Sequence, residues 1–410
     1  MLRNTRAVTS RQLWLVSLFA VYLGLFAFGC KTATTANTAS LAANEKPALA
    51  GENTPARTTP PPATVNNHLY GGIEIGGKGV KSTVIKVEGT ADGYAGEAVM
   101  PMKTVNTTIM SGVAQTGKFT PAAMEETVAE IQKIYQKMTG EFQVAPERIF
   151  VIASSGLRKP DKADVDNKEE LIQKVDKAVG EKLEFLSSED EVTFSIVGVV
   201  PIQDRRRALL MDIGSGSTKG GYREGTKEEP RFVTASIPYG TVSFTDEVSK
   251  QAPEEDTFSQ EAEKLRNTLI LPTLRQELGR KPGFMNRRKV YLSGGIVWAM
   301  ANLMYPTNRE ALVHFRPQDI EMFAYRAKKD PEALLAPNLS GIKDEKARQA
   351  IEDELQRVGE TFTPKNLVAG AELLRAVSRA CRLSKKQLYF TRLASMGWLL
   401  KYVEYQAQEN

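Results

Sequence analysis

Between residues 68 and 300 the hydrophobic positions fall into two kinds of stretch. Some are short apolar runs bounded by glycine. Others repeat apolar residues every three or four positions. The first kind predicts strands and the second predicts helices. Residues 68–75 end in Gly76-Gly77-Lys78-Gly79, and the apolar pattern resumes over 80–87 with Ser82-Thr83-Val84-Ile85. That is a hairpin closed by a glycine turn. Thr120-Pro121 then supply an N-cap and a first-turn proline. Met124, Val128, Ile131, Tyr135 and Met138 follow as one helical face. A strand at 148–153, a polar-faced helix at 168–179 and a short strand at 183–186 complete a strand–helix alternation.

The pattern then restarts. Residues 207–213 form a second apolar run, ending in Gly214-Ser215-Gly216-Ser217-Thr218, and a strand resumes over 219–222. Helices are predicted at 241–250 and 258–278. A strand at 289–292 ends in Ser293-Gly294-Gly295 and opens a helix through Trp298 and Met300. The strand–glycine loop–strand unit therefore occurs twice, at 70–87 and 207–222. This predicts two related α/β halves facing a cleft. The last third is mostly helical, most clearly at 366–382 and 391–405. The expected domains are 68–189, completed by a carboxy-terminal helix at 392–406, and 190–391.

The first 67 residues follow other rules. Arg3, Arg6 and Arg11 precede an uncharged apolar run at 13–28, and Gly29-Cys30 follow. A basic segment, a short apolar segment and a small residue read as an export signal over 1–30. The run is shorter than the roughly 20 residues that span a bilayer. Leu25-Phe26-Ala27-Phe28-Gly29-Cys30 resembles a bacterial lipobox, with Cys30 as the lipidated residue. An uncleaved signal anchor is the other reading. Residues 31–67 are rich in Ala, Thr, Pro and Asn and lack hydrophobic periodicity, which reads as a disordered linker. The expected location is the cell envelope of a bacterium, on the extracytoplasmic side, membrane-anchored as a lipoprotein.

Composition sets bounds on the chemistry. The chain has 410 residues, 41% hydrophobic and 25% charged, a globular composition. A formal charge of +5 favours anionic partners without choosing among them. The only cysteines are Cys30 and Cys381, and the only histidines His68 and His314. These are too few for a Cys/His zinc cluster, and neither histidine has the company a nucleophilic triad needs. Hydrolysis would fall to carboxylates, lysines, backbone N–H groups and a metal. No aromatic stacking motif accompanies the basic clusters Arg205-Arg206-Arg207 and Arg287-Arg288-Lys289, so no nucleic-acid partner is expected. Those clusters read either as a polyanion path or as solvated strand entries.

The two glycine loops carry the candidate chemistry. Turns without Cβ atoms let the backbone approach an anion and present several N–H groups to it. Gly76, Gly77, Lys78 and Gly79 form one candidate phosphate cradle; Gly214, Ser215, Gly216, Ser217 and Thr218 form the other. Each alone is equally a ligand-free hairpin turn. Asp212 follows Ala208-Leu209-Leu210-Met211 and should emerge at a strand end in the cleft. Glu189, Asp190 and Glu191 read as the acidic first turn of a helix, a place from which a carboxylate can also act as a base.

Six motifs in order resemble those of the exopolyphosphatase/guanosine pentaphosphate phosphatase family, in the actin-like ATPase superfamily. They are Ile73-Glu74-Ile75-Gly76-Gly77-Lys78-Gly79, Ala153-Ser154-Ser155-Gly156-Leu157-Arg158, Leu186-Ser187-Ser188-Glu189-Asp190-Glu191, Asp212-Ile213-Gly214-Ser215-Gly216-Ser217-Thr218, Ser236-Ile237-Pro238-Tyr239-Gly240 and Ser293-Gly294-Gly295. The resemblance spans residues 69–404. It implies two actin-like (ribonuclease H-like) domains facing a cleft, and hydrolysis of phosphoanhydride bonds in polyphosphate or another phosphorylated small anion. It implies Glu191 as the base, Asp212 and Glu74 as metal ligands, Arg158, Gly294 and Gly295 near phosphate, and magnesium as cofactor. It leaves a homodimer open. Three departures from the family fall in the active region. Glu74 stands for an Asp, Gly77-Lys78-Gly79 for Ser-Asn-Ser, and Lys219 for a Glu that works with magnesium. A charged lysine cannot coordinate a metal. Two readings follow: Lys78 and Lys219 supply the missing positive charge and hydrolysis persists, or the cleft is a non-catalytic phosphoanion or nucleotide sensor. A third places Lys219 outward, touching nothing.

Overall fold

The computed structural model describes residues 68–90, 93–159, 163–226 and 229–409. All fall within the unit Pro61–Asn410. The predicted export signal with Cys30, and the linker at 31–67, lie outside the described residues.

Two mixed sheets frame the structure. The first holds β1 (Leu69–Gly76), β2 (Gly79–Thr90), β3 (Gly93–Asn106), β4 (Ile149–Ala153) and β5 (Leu183–Phe185), in the order β3-β2-β1-β4-β5. The second holds β6 (Ala208–Ile213), β7 (Thr218–Gly225), β8 (Pro230–Ile237), β9 (Lys289–Ser293), β10 (Leu312–Phe315) and β11 (Gln387–Thr391), in the order β10-β11-β9-β6-β7-β8. Read from β8, the second sheet repeats the first. An antiparallel meander, β3-β2-β1 or β8-β7-β6, is followed by two strands parallel to its first member. β10 adds an antiparallel edge.

β1 is buried at every position, because helices cover both faces of its sheet. On one face Ile73, Ile75 and Val151 pack with Met124, Ile131 and Met138 of the Pro121–Gly140 helix. Thr120 caps that helix by accepting from the Ala123 N–H at 3.3 Å. Its buried stripe includes Thr127 and Ile134, while Val128 and Tyr135 sit half-buried at the margin. The predicted face is thus rotated by one position. On the other face Tyr70, Ile85 and Ile152 pack with Trp398, Leu399, Tyr402 and Val403 of the Gly397–Glu409 helix. Among the described residues no helix is long and apolar enough to cross a membrane.

Two predicted helices differ in detail. The stretch 258–278 is Glu255–Leu265 and Leu271–Leu278, joined by a π turn at Arg266–Ile270. Pro272 is the cause: it has no N–H to donate one turn back, and its ring crowds the carbonyl there. The stretch 391–405 begins as the end of β11, passes through a 3₁₀ turn at Arg392–Ser395, and becomes helical only at Gly397. Leu388 and Phe390 alternate inward there and register β11 against β9 and β10. The Ser188–Val199 helix begins beside the predicted boundary at 189 and packs on β7, β8 and the Gly397–Glu409 helix.

Candidate functional site

Each hairpin places an acid and a lysine side by side. In the β1–β2 ladder Glu74 is paired across with Lys81; in the β6–β7 ladder Asp212 is paired with Lys219. Residues directly opposite one another share a face, and all four line one cavity of about 450 Å³. The Lys81 ammonium donates to both oxygens of Glu74 at 3.1 Å. The Lys219 ammonium donates to Glu191 and lies 3.8 Å from Asp212.

Glu191 enters from the first turn of the Ser188–Val199 helix, whose N-cap Ser187 accepts from the Asp190 N–H at 3.1 Å. Its second oxygen accepts from the Ser155 N–H at 2.8 Å and the Ser155 hydroxyl at 2.6 Å. Lys219 also reaches that hydroxyl, at 3.3 Å. Glu74, Glu191 and Lys219 are each exposed by 4% or less, so every charge there needs the partner it has.

These surroundings set the protonation of the group. Burial pushes the Glu191 carboxyl up, but the Lys219 charge and the bonds from Lys219 and Ser155 outweigh it and hold Glu191 below the usual carboxylate range. Burial likewise works against the Lys219 ammonium, yet Glu191 and Asp212 keep it raised above an ordinary lysine. Glu74 and Asp212 go the other way: burial pushes both carboxyls up, and Lys81 and Lys219 recover only part.

The second glycine turn is built to show its amides. The carbonyls of Gly214 and Ser215 accept from the Thr241 and Val242 N–H groups at 2.9 and 2.8 Å, at the start of the Thr241–Gln251 helix. The Gly216 carbonyl accepts from the Ser243 hydroxyl at 3.0 Å. In a trans peptide the N–H points opposite its carbonyl, so the next three amides turn away from that helix. Among the described residues they meet no backbone acceptor in this turn. The buried Ser217 hydroxyl also lacks a hydrogen-bond partner. Such an orphaned donor calls for a ligand or water. Gly294 and Gly295 line the same cavity, at the amino terminus of the Gly295–Met304 helix, where free N–H groups favour anions. Gly294 holds φ +97, and a Cβ there would fall 2.1 Å from the Ile213 carbonyl oxygen. The two hairpin turns nearly touch: a Cβ on Gly77 would lie 2.4 Å from the Ser215 hydroxyl.

Magnesium does not fit this donor set. Glu74 faces the Lys81 ammonium with both oxygens, Glu191 is committed to Lys219 and Ser155, and Lys219 stands beside Asp212. A divalent ion there would meet two fixed cations and find most of the Glu74 and Glu191 acceptor positions already taken. Among the described residues no group of three or more His, Cys, Asp or Glu side chains could hold a metal.

The structure gathers Glu74, Gly76, Gly77, Lys78, Gly79, Glu191, Asp212, Gly214, Ser215, Ser217, Lys219, Gly294 and Gly295 around one cavity. The outward reading of Lys219 is overturned by its burial and its pairing. Lys78 lines the wall, but its ammonium turns to the Thr361 carbonyl at 2.7 Å and Asn366 at 3.2 Å. Thr218 is buried, its hydroxyl donating to the Tyr239 carbonyl at 2.7 Å. Arg158 and Gly216 line a separate cavity of about 180 Å³, and Arg158 faces Asp164 at 3.9 Å. One arginine of each basic cluster is pinned to backbone, Arg205 to the Val200 carbonyl at 3.1 Å and Arg287 to that of Arg223 at 2.6 Å, and Lys289 donates to Asp204 at 2.8 Å. Sequence reading missed Lys81, Ser155 and the aromatic wall of Trp298, Phe362 and Trp398. Lys81 was within reach, since a tight turn at Gly77-Lys78 fixes Glu74 opposite it.

A duplicated sheet with paired glycine turns over one cavity defines the actin-like class of α/β protein. Within it, residues 92–281 match the model of the Ppx/GppA phosphatase family. The match contains Glu191, Asp212 and Lys219. The fold is similar to the crystal structure of the Aquifex aeolicus Ppx/GppA family member, with TM-score 0.57 and 19% identity, covering 83% of this chain and 98% of that one. It is also similar to an exopolyphosphatase from Cytophaga hutchinsonii, with TM-score 0.58 and 15% identity, covering 83% and 98%. Among curated proteins, Retrograde regulation protein 2 of Saccharomyces cerevisiae is 29% identical over 122 residues, 29% of this chain and 20% of that protein.

Proposed function

We propose that the chain hydrolyses phosphoanhydride bonds of polyphosphate or a related phosphorylated anion, with the attacking water oriented by Glu191. One arrangement carries this reading: Glu191 is presented into a cavity whose walls include both glycine turns. Three of the roughly four acceptor positions of its carboxylate are filled, leaving about one for a water. Its lowered pKa makes it a weak proton acceptor but a steady orienting group. That suits phosphoryl transfer, whose loose transition state asks for position and charge more than for a strong base. The amides after Gly214 and the Ser217 hydroxyl would hold the terminal phosphate.

The test is orthophosphate release from long-chain polyphosphate and from tripolyphosphate by the full chain. Glu191→Gln should cut release by roughly 10²-fold or more; release that survives it overturns this role.

The second reading is a non-catalytic phosphoanion or nucleotide sensor. The Lys219 ammonium on Glu191 favours it, since it occupies the carboxylate that would orient water. Saturable binding without release in the wild type would select it. For location we propose export and a membrane tether through Cys30, supported by the amino-terminal sequence alone. A Cys30→Ser chain that still partitions with membranes would argue for a signal anchor instead.

A further inference from the structure

The two hairpins share a feature that their glycine turns do not explain. Each pairs an acid on its first strand directly with a lysine on its second, Glu74 with Lys81 and Asp212 with Lys219, and all four side chains line one cavity. The fold does not demand this. A buried ion pair is often replaced by apolar residues at no cost in stability, and the neighbouring strand positions Ile73, Ile75, Met211 and Ile213 are apolar. Two sheets placing the same pair at the same register position point to a ligand rather than to packing.

We infer that Lys81 and Lys219 are a fixed pair of cations that takes the place of a divalent metal, so that the cavity binds a phosphate chain without one. The inference rests on the reading above that the cavity takes a phosphate chain. An ammonium has three donors. Lys219 spends two, on Glu191 and Ser155; Lys81 spends two, on the oxygens of Glu74. Each keeps one N–H for a phosphoryl oxygen. Glu74 and Glu191 hold the lysines in place, and in doing so commit most of the acceptor positions that a metal would need. Lys78 is not a member of the pair, because its ammonium is held by Thr361 and Asn366 over the Phe362 ring, 4.0 Å from the ring centre. The charge count agrees. The cavity wall carries Glu74, Glu191, Asp212 and Glu360 against Lys78, Lys81, Lys219 and Arg357, four of each sign. It is balanced before any metal enters. A metal would add charge beside two cations that cannot leave.

Tripolyphosphate is the probe, titrated calorimetrically into the full chain with excess EDTA and, separately, with magnesium at the same free ligand concentration. The expected result is an affinity that differs by less than about 3-fold between the two conditions. Lys81→Met and Lys219→Met should each weaken binding in EDTA by roughly 10-fold or more. Lys219→Glu should reverse the dependence, binding at least 10-fold more tightly with magnesium. Removing Lys219 strands Glu191, so thermal unfolding checks that each variant is folded. If the Lys219 variants do not fold, Lys81→Met and the wild-type metal comparison still decide. Binding by the wild type only with magnesium overturns the inference and leaves the phosphate reading standing. Absence of binding in both conditions overturns the phosphate reading, and the inference with it.

Discussion

Ser155 is the residue on which the chemistry of Glu191 turns. Its N–H and hydroxyl both sit on one oxygen of that carboxylate, and together with Lys219 they outweigh the upward push of burial. The ionised form is the one that orients water. Activity should therefore be present above the pKa of Glu191 and fall as pH drops through it. Because that pKa is held low, the acid limb should lie below the ordinary Glu value of about 4.3. Ser155→Ala keeps the backbone bond and loses the hydroxyl, so the limb should move to higher pH with kcat at neutral pH little changed. A pH–rate profile of the variant checks this; an unmoved limb means that Ser155 does not tune Glu191. Stability follows the same sign. A carboxylate with a lowered folded pKa contributes stability above its unfolded pKa and loses it as pH falls. At this scale the sequence was legible where a residue is fixed by its own element. Asp212 stands near a strand end and was placed in the cleft from local pattern, whereas for Glu191 that pattern showed the first turn of a helix and the family resemblance supplied the role of base. Ser155 was not legible. Its meeting with Glu191 depends on how the turn after β4 approaches a helix 36 positions away in sequence.

Among the elements, hairpins and buried strands announced themselves, because glycine turns bound uninterrupted apolar runs. β3, β8 and β10 did not. All three lie at sheet edges, where one side faces solvent and the apolar pattern is diluted. The π turn before Pro272 was hidden for a different reason: periodicity shows that a helix exists, not which hydrogen bonds it forms. The crossing of the Ser188–Val199 and Gly397–Glu409 helices was also invisible in sequence, since two glycines some two hundred positions apart must be known to meet. A Cβ on Gly198 would lie 1.9 Å from the Gly397 carbonyl oxygen. The backbones touch, and neither can yield as a flexible side chain would. Gly198→Ala should cost at least about 1–3 kcal/mol. It should appear as a lower urea midpoint with an unchanged slope. A midpoint within error of the wild type would mean that the two helices are free to separate. Because this crossing carries Glu191 at its far end, the same variant should also lower phosphate affinity.

In the molecule as a whole, Lys78 joins parts that the chain itself keeps far apart. It leaves the β1–β2 turn and reaches Thr361 and Asn366, at the end of one carboxy-terminal helix and in the first turn of the next. It stands where the main cavity meets a neighbouring cavity of about 370 Å³, and lines both. In that position its ammonium is a strap between the two cavities. Removing the strap should let ligand pass more freely in both directions. Lys78→Met should therefore raise the association and dissociation rates of tripolyphosphate together, each by several-fold, with a smaller change in Kd. The wild type supplies its own control. Burial lowers the Lys78 ammonium to about 8, so it loses its charge as pH rises through that value. Wild-type dissociation should accelerate over that range toward the rate of Lys78→Met, which shares every titration of the ligand itself. Between 8 and the ordinary 10.5 the folded lysine is neutral while the unfolded one is still protonated. Its contribution to stability should therefore rise with pH across that window, and that part of the rise should be missing in Lys78→Met. Stopped-flow rates that are identical in the two proteins on both sides of pH 8 would show that ligand enters by another route and that the contact with Thr361 and Asn366 only joins the parts of the chain it touches.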